Sequence, residues 1–210
     1  MILGKIKVVS RVWWLVFLFG ALFGALIMLA IRFATYSPER VHYHANFAVY
    51  LNGRQEQFKS PRYYQEVAVC SLNKVLSPEQ RAHMHDNINS VIHVHDHAVT
   101  WGQFFANLGW TLGPDLLETN DGTQYAANDT DKLNIILNGQ DYTDIGSLAN
   151  RVIDDRDRLL VSFGDIDASS LRQEYDKVPS TAAKYDADKD PATCSGSEKP
   201  TISDRLHHIL

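Results

Sequence analysis

The chain has 210 residues, of which 45% are apolar and 21% charged, and a net charge of −5. That length holds one domain of ordinary size with room for a tail, and the composition excludes a chain disordered throughout. Two cysteines exclude a disulfide-dense scaffold and a four-cysteine zinc site, and the acidic balance argues against a nucleic-acid binder.

The charge is unevenly spread. Residues 1–32 contain Lys5, Lys7, Arg11 and Arg32 and no acid, a sum of +4, so the rest carries −9 of the total −5. From Val12 to Ile31 there are 20 residues without a charge. At ~1.5 Å per residue such a helix crosses the ~30 Å hydrocarbon core of a bilayer. Arg11 and Arg32 bracket it, and Trp13 and Trp14 sit where an interfacial aromatic belt would. A cleaved signal peptide has a shorter apolar region and a small-x-small site, which Met28-Leu29-Ala30 and Phe33-Ala34-Thr35 fit poorly. The reading is an uncleaved signal anchor over 12–32, with 1–11 cytoplasmic and 33–210 outside the cell membrane, because the basic residues precede the span. Gly20 and Gly24 form a GxxxG, a weak signal that leaves a homodimer through that face open.

Residues 33–40 read as a linker broken by Ser37-Pro38. The stretch from Val41 to Leu51 then alternates, with Tyr43, Ala45, Phe47 and Val49 on one side and His42, His44 and Asn46 on the other. Asn52-Gly53 predicts a type I′ hairpin and a return strand near Gln55–Lys59. Tyr64–Cys70 reads as a further strand. Ser77-Pro78-Glu79-Gln80 carries the signals of a short capped helix that ends before His83. Strands are expected on either side of a polar turn at Asp86–Ser90. Thr100-Trp101-Gly102-Gln103 predicts a second capped helix, with Gly109 as its stop. Residues 113–131 read as a loop, Leu133–Leu137 as a strand before a second Asn-Gly turn, Asp144–Asn150 as a short helix and Arg158–Phe163 as the closing strand. Residues 167–210 read as a polar tail with a helix at 169–177.

The chemistry lies in the histidines. Seven of nine fall between residues 42 and 97, in the pairs His42-x-His44, His83-x-His85 and His93-x-His95, with His97 following. Residues two apart on a strand share a face, with Cβ atoms roughly 6–7 Å apart. A hairpin folded about residue 89 would set His85 opposite His93 and His83 opposite His95, with His42 and His44 joining from a neighbouring strand. Imidazole suits zinc, copper, nickel and iron(II), and a metal holds clustered rings in the neutral form. Without a thiolate pattern, the expectation is a zinc or copper site on His42, His44, His83, His85, His93 and His95. Asp86 and Asp96 would be ligands or second acceptors. Cys70 and Cys194, the only thiols, form a disulfide candidate in an oxidising compartment.

The segments HYHANFAVYLNG, HMHDNINSVIHVHD and TWGQFFANLGW, with NIILNGQDY and RLLVSFG, resemble a prokaryotic family of secreted or membrane-anchored His-rich domains over about residues 41–164. That family has an HxHAxL strand ending in NG, an LHTHDxxGIIHVE hairpin and a TLGQFFxxWG helix. The resemblance implies a compact α+β domain with a metal site matched at His42, His44, His83, His85, Asp86 and His93, and it assigns no reaction. Asn89 or a neighbour replaces the family's turn glycine. His95 replaces its glutamate, which makes this site richer in nitrogen.

The fold expected is α+β: a transmembrane helix, then a small mixed domain over 41–166 with antiparallel hairpins. Three functions fit it: binding of a transition metal, a metal-dependent hydrolase or copper redox enzyme with Asp86 or Asp96 as base, or an envelope module with a structural metal.

Overall fold

The computed structural model describes residues 2–37, 41–65, 76–187 and 200–209. The chain divides into two compact units, one of residues 1–39 and 197–210, the other of residues 40–196. In the first unit, helix α1 (Ile2–Thr35) runs unbroken through the apolar stretch. Its portion Val12–Thr35 is long and apolar enough to cross a membrane. The helix takes in residues 33–35, assigned to the linker from sequence, and ends just before Ser37-Pro38; proline disfavours the helical conformation of the residue before it. A Cβ added at Gly20 or Gly24 would meet nothing within 4 Å.

The second unit is built on strand β1 (Tyr43–Leu51). Its alternation follows the sequence: Ala45, Phe47 and Val49 enter the main core, while Ala48 and Tyr50 enter a second cluster on the other face. Asn52 and Gly53 have φ of 52° and 75°, the pair of positive values a type I′ turn needs. The return strand β2 (Arg54–Gln55) is shorter than expected, because Phe58 turns with φ 45° and buries itself in the core. Of the strand expected at Tyr64–Cys70 only Tyr64 and Gln65 are described, and Tyr64 bridges Met84. Cys70 and Cys194, and so the disulfide candidate, lie outside the described residues.

Helix α2 (Pro78–Arg81) carries the Ser77–Gln80 capping box and leads into β3 (Ala82–His83). Strand β4 (Val91–Val94) follows, then α3 (Trp101–Asn107), capped by Thr100 and Gln103. Gly109, at φ 76°, stands beyond its end. Residues 113–131 are not a plain loop. They contain β6 (Leu116–Glu118) and β7 (Gln124–Ala126), which pair with β5 (Thr111–Leu112) in a three-stranded antiparallel sheet. The Gly, Asp, Asn and Thr residues make its turns, and strands this short offer no alternation to count. Leu117 is fully buried and ties the small sheet to the main core.

Strands β8 (Lys132–Leu137) and β9 (Gln140–Asp141) flank the second Asn-Gly turn. Helix α4 (Ile145–Leu148) and strand β10 (Arg158–Gly164) complete the main sheet's connections. That sheet has seven strands in the order β3-β4-β1-β10-β8-β9, with β2 also on β1. Among the strand pairs of the described residues, β1 and β10 run parallel and the others are antiparallel.

One face of the sheet meets α3 and the aromatic core of Phe47, Phe58, Trp101, Phe104 and Phe105. The other is covered by α5 (Ala168–Lys177) and α6 (Ala182–Ala187). Here the expectation of a tail with little core is corrected. Tyr175 and Val178 pack with Ala48, Tyr50, Ile136 and Leu160, and Ala182 is buried. Arg158 donates to the carbonyls of Tyr175 and Val178, each at 2.8 Å, and its guanidinium lies 4.4 Å over the Tyr175 ring. A few well-placed apolar groups and one arginine clamp dock a segment whose average composition is polar.

Gly102 makes a close approach that predicts a measurable effect. Its amide donates to the Ala149 carbonyl at 3.0 Å, and an added Cβ would sit 2.5 Å from that oxygen. Gly102→Ala is expected to destabilise the domain by about 1–3 kcal/mol, the cost of overpacking. It should read as a lower urea midpoint at unchanged slope.

The first unit is completed by α7 (Ile202–Ile209), which packs beside the last turn of α1. Arg205 donates to the carbonyls of Phe33 at 2.6 Å and Ala34 at 3.0 Å. Arg32 donates to the His208 carbonyl at 2.9 Å, and the His208 ring stacks on Tyr36 at 4.4 Å. His208, in the stretch read as a polar tail, is thus exposed but held against the end of α1.

Candidate metal centre

Three adjacent strands at one side of the sheet, β3, β4 and β1, bring the histidines together. Register sets His44 of β1 opposite His93 of β4, and His83 of β3 opposite that same His93. One row thus crosses three strands with His93 in the middle. This differs from the expected hairpin, in which His85 faced His93 and His83 faced His95. The fold-back is centred one residue earlier, through Asp86 and Asn87, both at φ 55°. A shift of this kind preserves the face and changes the partners.

The six rings form a closed circuit. Ring centroids are separated by 4.6 Å for His42–His44, 4.4 Å for His44–His93 and 3.7 Å for His93–His85. The circuit continues at 6.0 Å for His85–His83, 5.1 Å for His83–His95 and 4.7 Å for His95–His42. His44, His83, His85 and His93 are buried; His42 and His95 are partly so. His42, His44 and His93 each offer a ligand nitrogen within 4.8 Å of the others. His93 Nδ1 stands 2.9 Å from His44 Nε2 and 3.0 Å from His85 Nε2. Two nitrogens on one tetrahedral zinc at ~2.0–2.1 Å stand about 3.3 Å apart, so small ring movements admit an ion. A ring nitrogen has one proton or one lone pair, so the two contacts compete for a single site on His93. A cation shared among lone pairs relieves that competition.

The surrounding acceptors orient two rings. His85 Nδ1 lies 2.8 Å from the Asp86 carboxylate, and His83 Nδ1 lies 3.1 Å from the Glu79 carbonyl. Both acceptors call for a donating Nδ1–H, which leaves Nε2 as the lone pair, as in metal-ligating histidines. Asp86 thus stands as an acceptor behind His85. Asp96 is bound by Arg81 at 2.8 Å instead, and His97 is exposed outside the circuit. Removing the orienting carboxylate by Asp86→Ala is expected to lower metal affinity about 10–100-fold, measured by competition with a chromogenic chelator.

The electrostatics favour neutral rings. Burial, with the neighbouring His85 next, pushes His83 down to about 4. Burial and the His83 charge push His95 down to about 3, and burial with His85 holds His93 well below the usual imidazole range. Ligands already deprotonated at neutral pH bind a cation without first losing protons.

Sequence reading did not anticipate the cover of this face. Asn46, next along β1, accepts from the Ala182 amide at 2.8 Å and donates to Thr181 at 3.2 Å. This seats α6, whose Tyr185 ring lies 5.9 Å from His44 and 6.0 Å from His93. No motif marks Tyr185, which sits in a polar stretch.

Fold and site together define a class: an α+β domain with one imidazole-lined sheet face, in a chain that opens with an apolar helix. Comparison of the chain with protein-family models, with curated proteins and with solved structures finds no match.

Proposed function

We propose that this chain is a single-pass membrane protein whose outer domain, on the far side of the cytoplasmic membrane, binds a transition-metal ion, zinc or copper, in the imidazole circuit. The observation that carries the reading is the convergence of His42, His44 and His93 within 4.8 Å, with His83 and His85 oriented by acceptors on their Nδ1 side. The all-nitrogen donor set suits zinc and copper and disfavours calcium or magnesium, which take oxygen. The apolar stretch Val12–Thr35 supports the lipid bilayer as partner of the first unit, and the basic residues ahead of it support a cytoplasmic N-terminus.

The test is elemental analysis of the full-length protein, purified in detergent, before and after chelation. At least one zinc or copper ion per chain, lost on chelation, is the expected result. A protein that stays metal-free after loading with both ions overturns the reading. A second use of the same ion is favoured by the burial of His44, His83, His85 and His93: an enclosed ion that holds β3, β4 and β1 together. In that case chelation lowers the melting temperature sharply, since ligand at 1,000 times its Kd adds about 4 kcal/mol to stability.

A further inference from the structure

Helix α7 lies beside the end of the lipid-spanning helix and presents apolar residues outward. Ile202 and Leu206, one turn apart on the same side of the helix, are 70% and 46% exposed. Its opposite side is polar, with Asp204, His207 and His208. Its position along α1 is set by hydrogen bonds. Arg205 satisfies the carbonyls of Phe33 and Ala34, which have no intrahelical partner at a helix end, and Arg32 reaches back to the His208 carbonyl. Val12–Thr35 spans 24 residues, or about 36 Å at 1.5 Å per residue, against a hydrocarbon core of ~30 Å. The last turn of α1 must therefore stand at the boundary between acyl chains and headgroups.

From this juxtaposition we infer that α7 is an interfacial helix. It lies in the membrane plane with Ile202 and Leu206 in the acyl boundary and Arg32 and Arg205 at the level of the lipid phosphates. The occupant of its apolar face is the same bilayer as that proposed around α1, because α7 is held against α1 between Arg32 and Tyr36, at the end of the apolar stretch. Arginine matches phosphate in charge and in its paired donors. An amphipathic segment of this kind buries its apolar side about 5–10 Å into the headgroup boundary. The chain would then be fastened to the membrane at both ends of the second unit, since residues 40–196 are inserted between the two pieces of the first.

The inference rests on the membrane reading of α1, and one experiment separates the two. The full-length protein, with Cys70→Ser and Cys194→Ser, receives a single bimane label at Leu22→Cys or at Leu206→Cys. It is reconstituted in phosphatidylcholine–phosphatidylglycerol vesicles containing lipids with a quencher on the headgroup or deep in the acyl chain. The label at 22 should be quenched by the deep quencher. The label at 206, at a depth of about 5–10 Å, should lose more fluorescence to the headgroup quencher than to the deep one and resist aqueous iodide. Ile202→Cys, labelled the same way, gives the same pattern and guards against a fold lost at 206. Quenching at 22 with iodide access and no lipid quenching at 202 and 206 overturns the interfacial helix and leaves the span intact. Absence of lipid quenching at 22 overturns the span and the inference with it.

Discussion

His93→Ala is expected to abolish stoichiometric metal binding, a larger loss than any other single substitution in the circuit produces. His93 is opposed by His44 on one side and His83 on the other, and its Nδ1 lies within 3.0 Å of both His44 Nε2 and His85 Nε2. Its removal takes away one donor and the common point toward which two others are aimed. Loss of an orienting residue behind a ligand costs about 10–100-fold in affinity, so loss of this central donor should exceed about 100-fold. Elemental analysis after dialysis measures it, with His97→Ala as the comparison, since His97 is exposed outside the circuit. Full metal content in His93→Ala would remove His93 from the site.

The second large effect is loss of stability in acid by the chelated protein. Folded, His83 is held down to about 4 and His95 to about 3, and His93 is depressed as well; unfolded, each titrates near 6.5. Below about pH 6.5 the unfolded chain therefore binds protons that the folded chain refuses, so stability rises with pH and falls as acid is added. The contribution is intact above the unfolded value and is lost progressively toward the folded one. Each fully buried ring contributes up to about 1.4 kcal/mol per pH unit, so the buried pair His83 and His93 approaches about 3 kcal/mol per pH unit. By about pH 4.5, two units below the unfolded value, the loss reaches about 5 kcal/mol, close to the whole stability of many domains. Urea midpoints of the chelated full-length protein across that range measure it. A midpoint that is flat or rises as pH falls contradicts the burial argument, and His83→Gln should reduce the slope. The metal-loaded protein should hold its midpoint to lower pH, because the ion occupies the lone pairs that protons would take.

Much of this protein follows from local rules that need no partner. The uncharged run from Val12 to Ile31 forms a helix long enough for a bilayer because a single helix satisfies its own backbone. The caps at Ser77 and Thr100 and the Asn-Gly turns at 52 and 138 are decided within four residues, and each stands where the sequence places it. The period of two along β1 is also local, and it places His44 on the face opposite Phe47. The pairing of histidines in each His-x-His motif has the same origin.

Pairing across space is a different matter. Which histidine faces which depends on where the chain folds back, and a hairpin centred one residue earlier keeps every face while exchanging every partner. That position is decided jointly by β1, which pairs Tyr43 with Val94, and by β3, which pairs Ala82 with Val94. Asp96 had the composition of a ligand, yet the ion pair with Arg81 holds it elsewhere. The short strands at 116–126 and the docking of α5 and α6 rest on a few contacts each, too few to mark a sequence. Periodicity and capping determine what each segment becomes and which way its side chains point. Only closure of β1 between β4 and β10, with α5 and α6 over one face, makes His93 the centre of the cluster, because register is a property of strand pairs and not of any one strand.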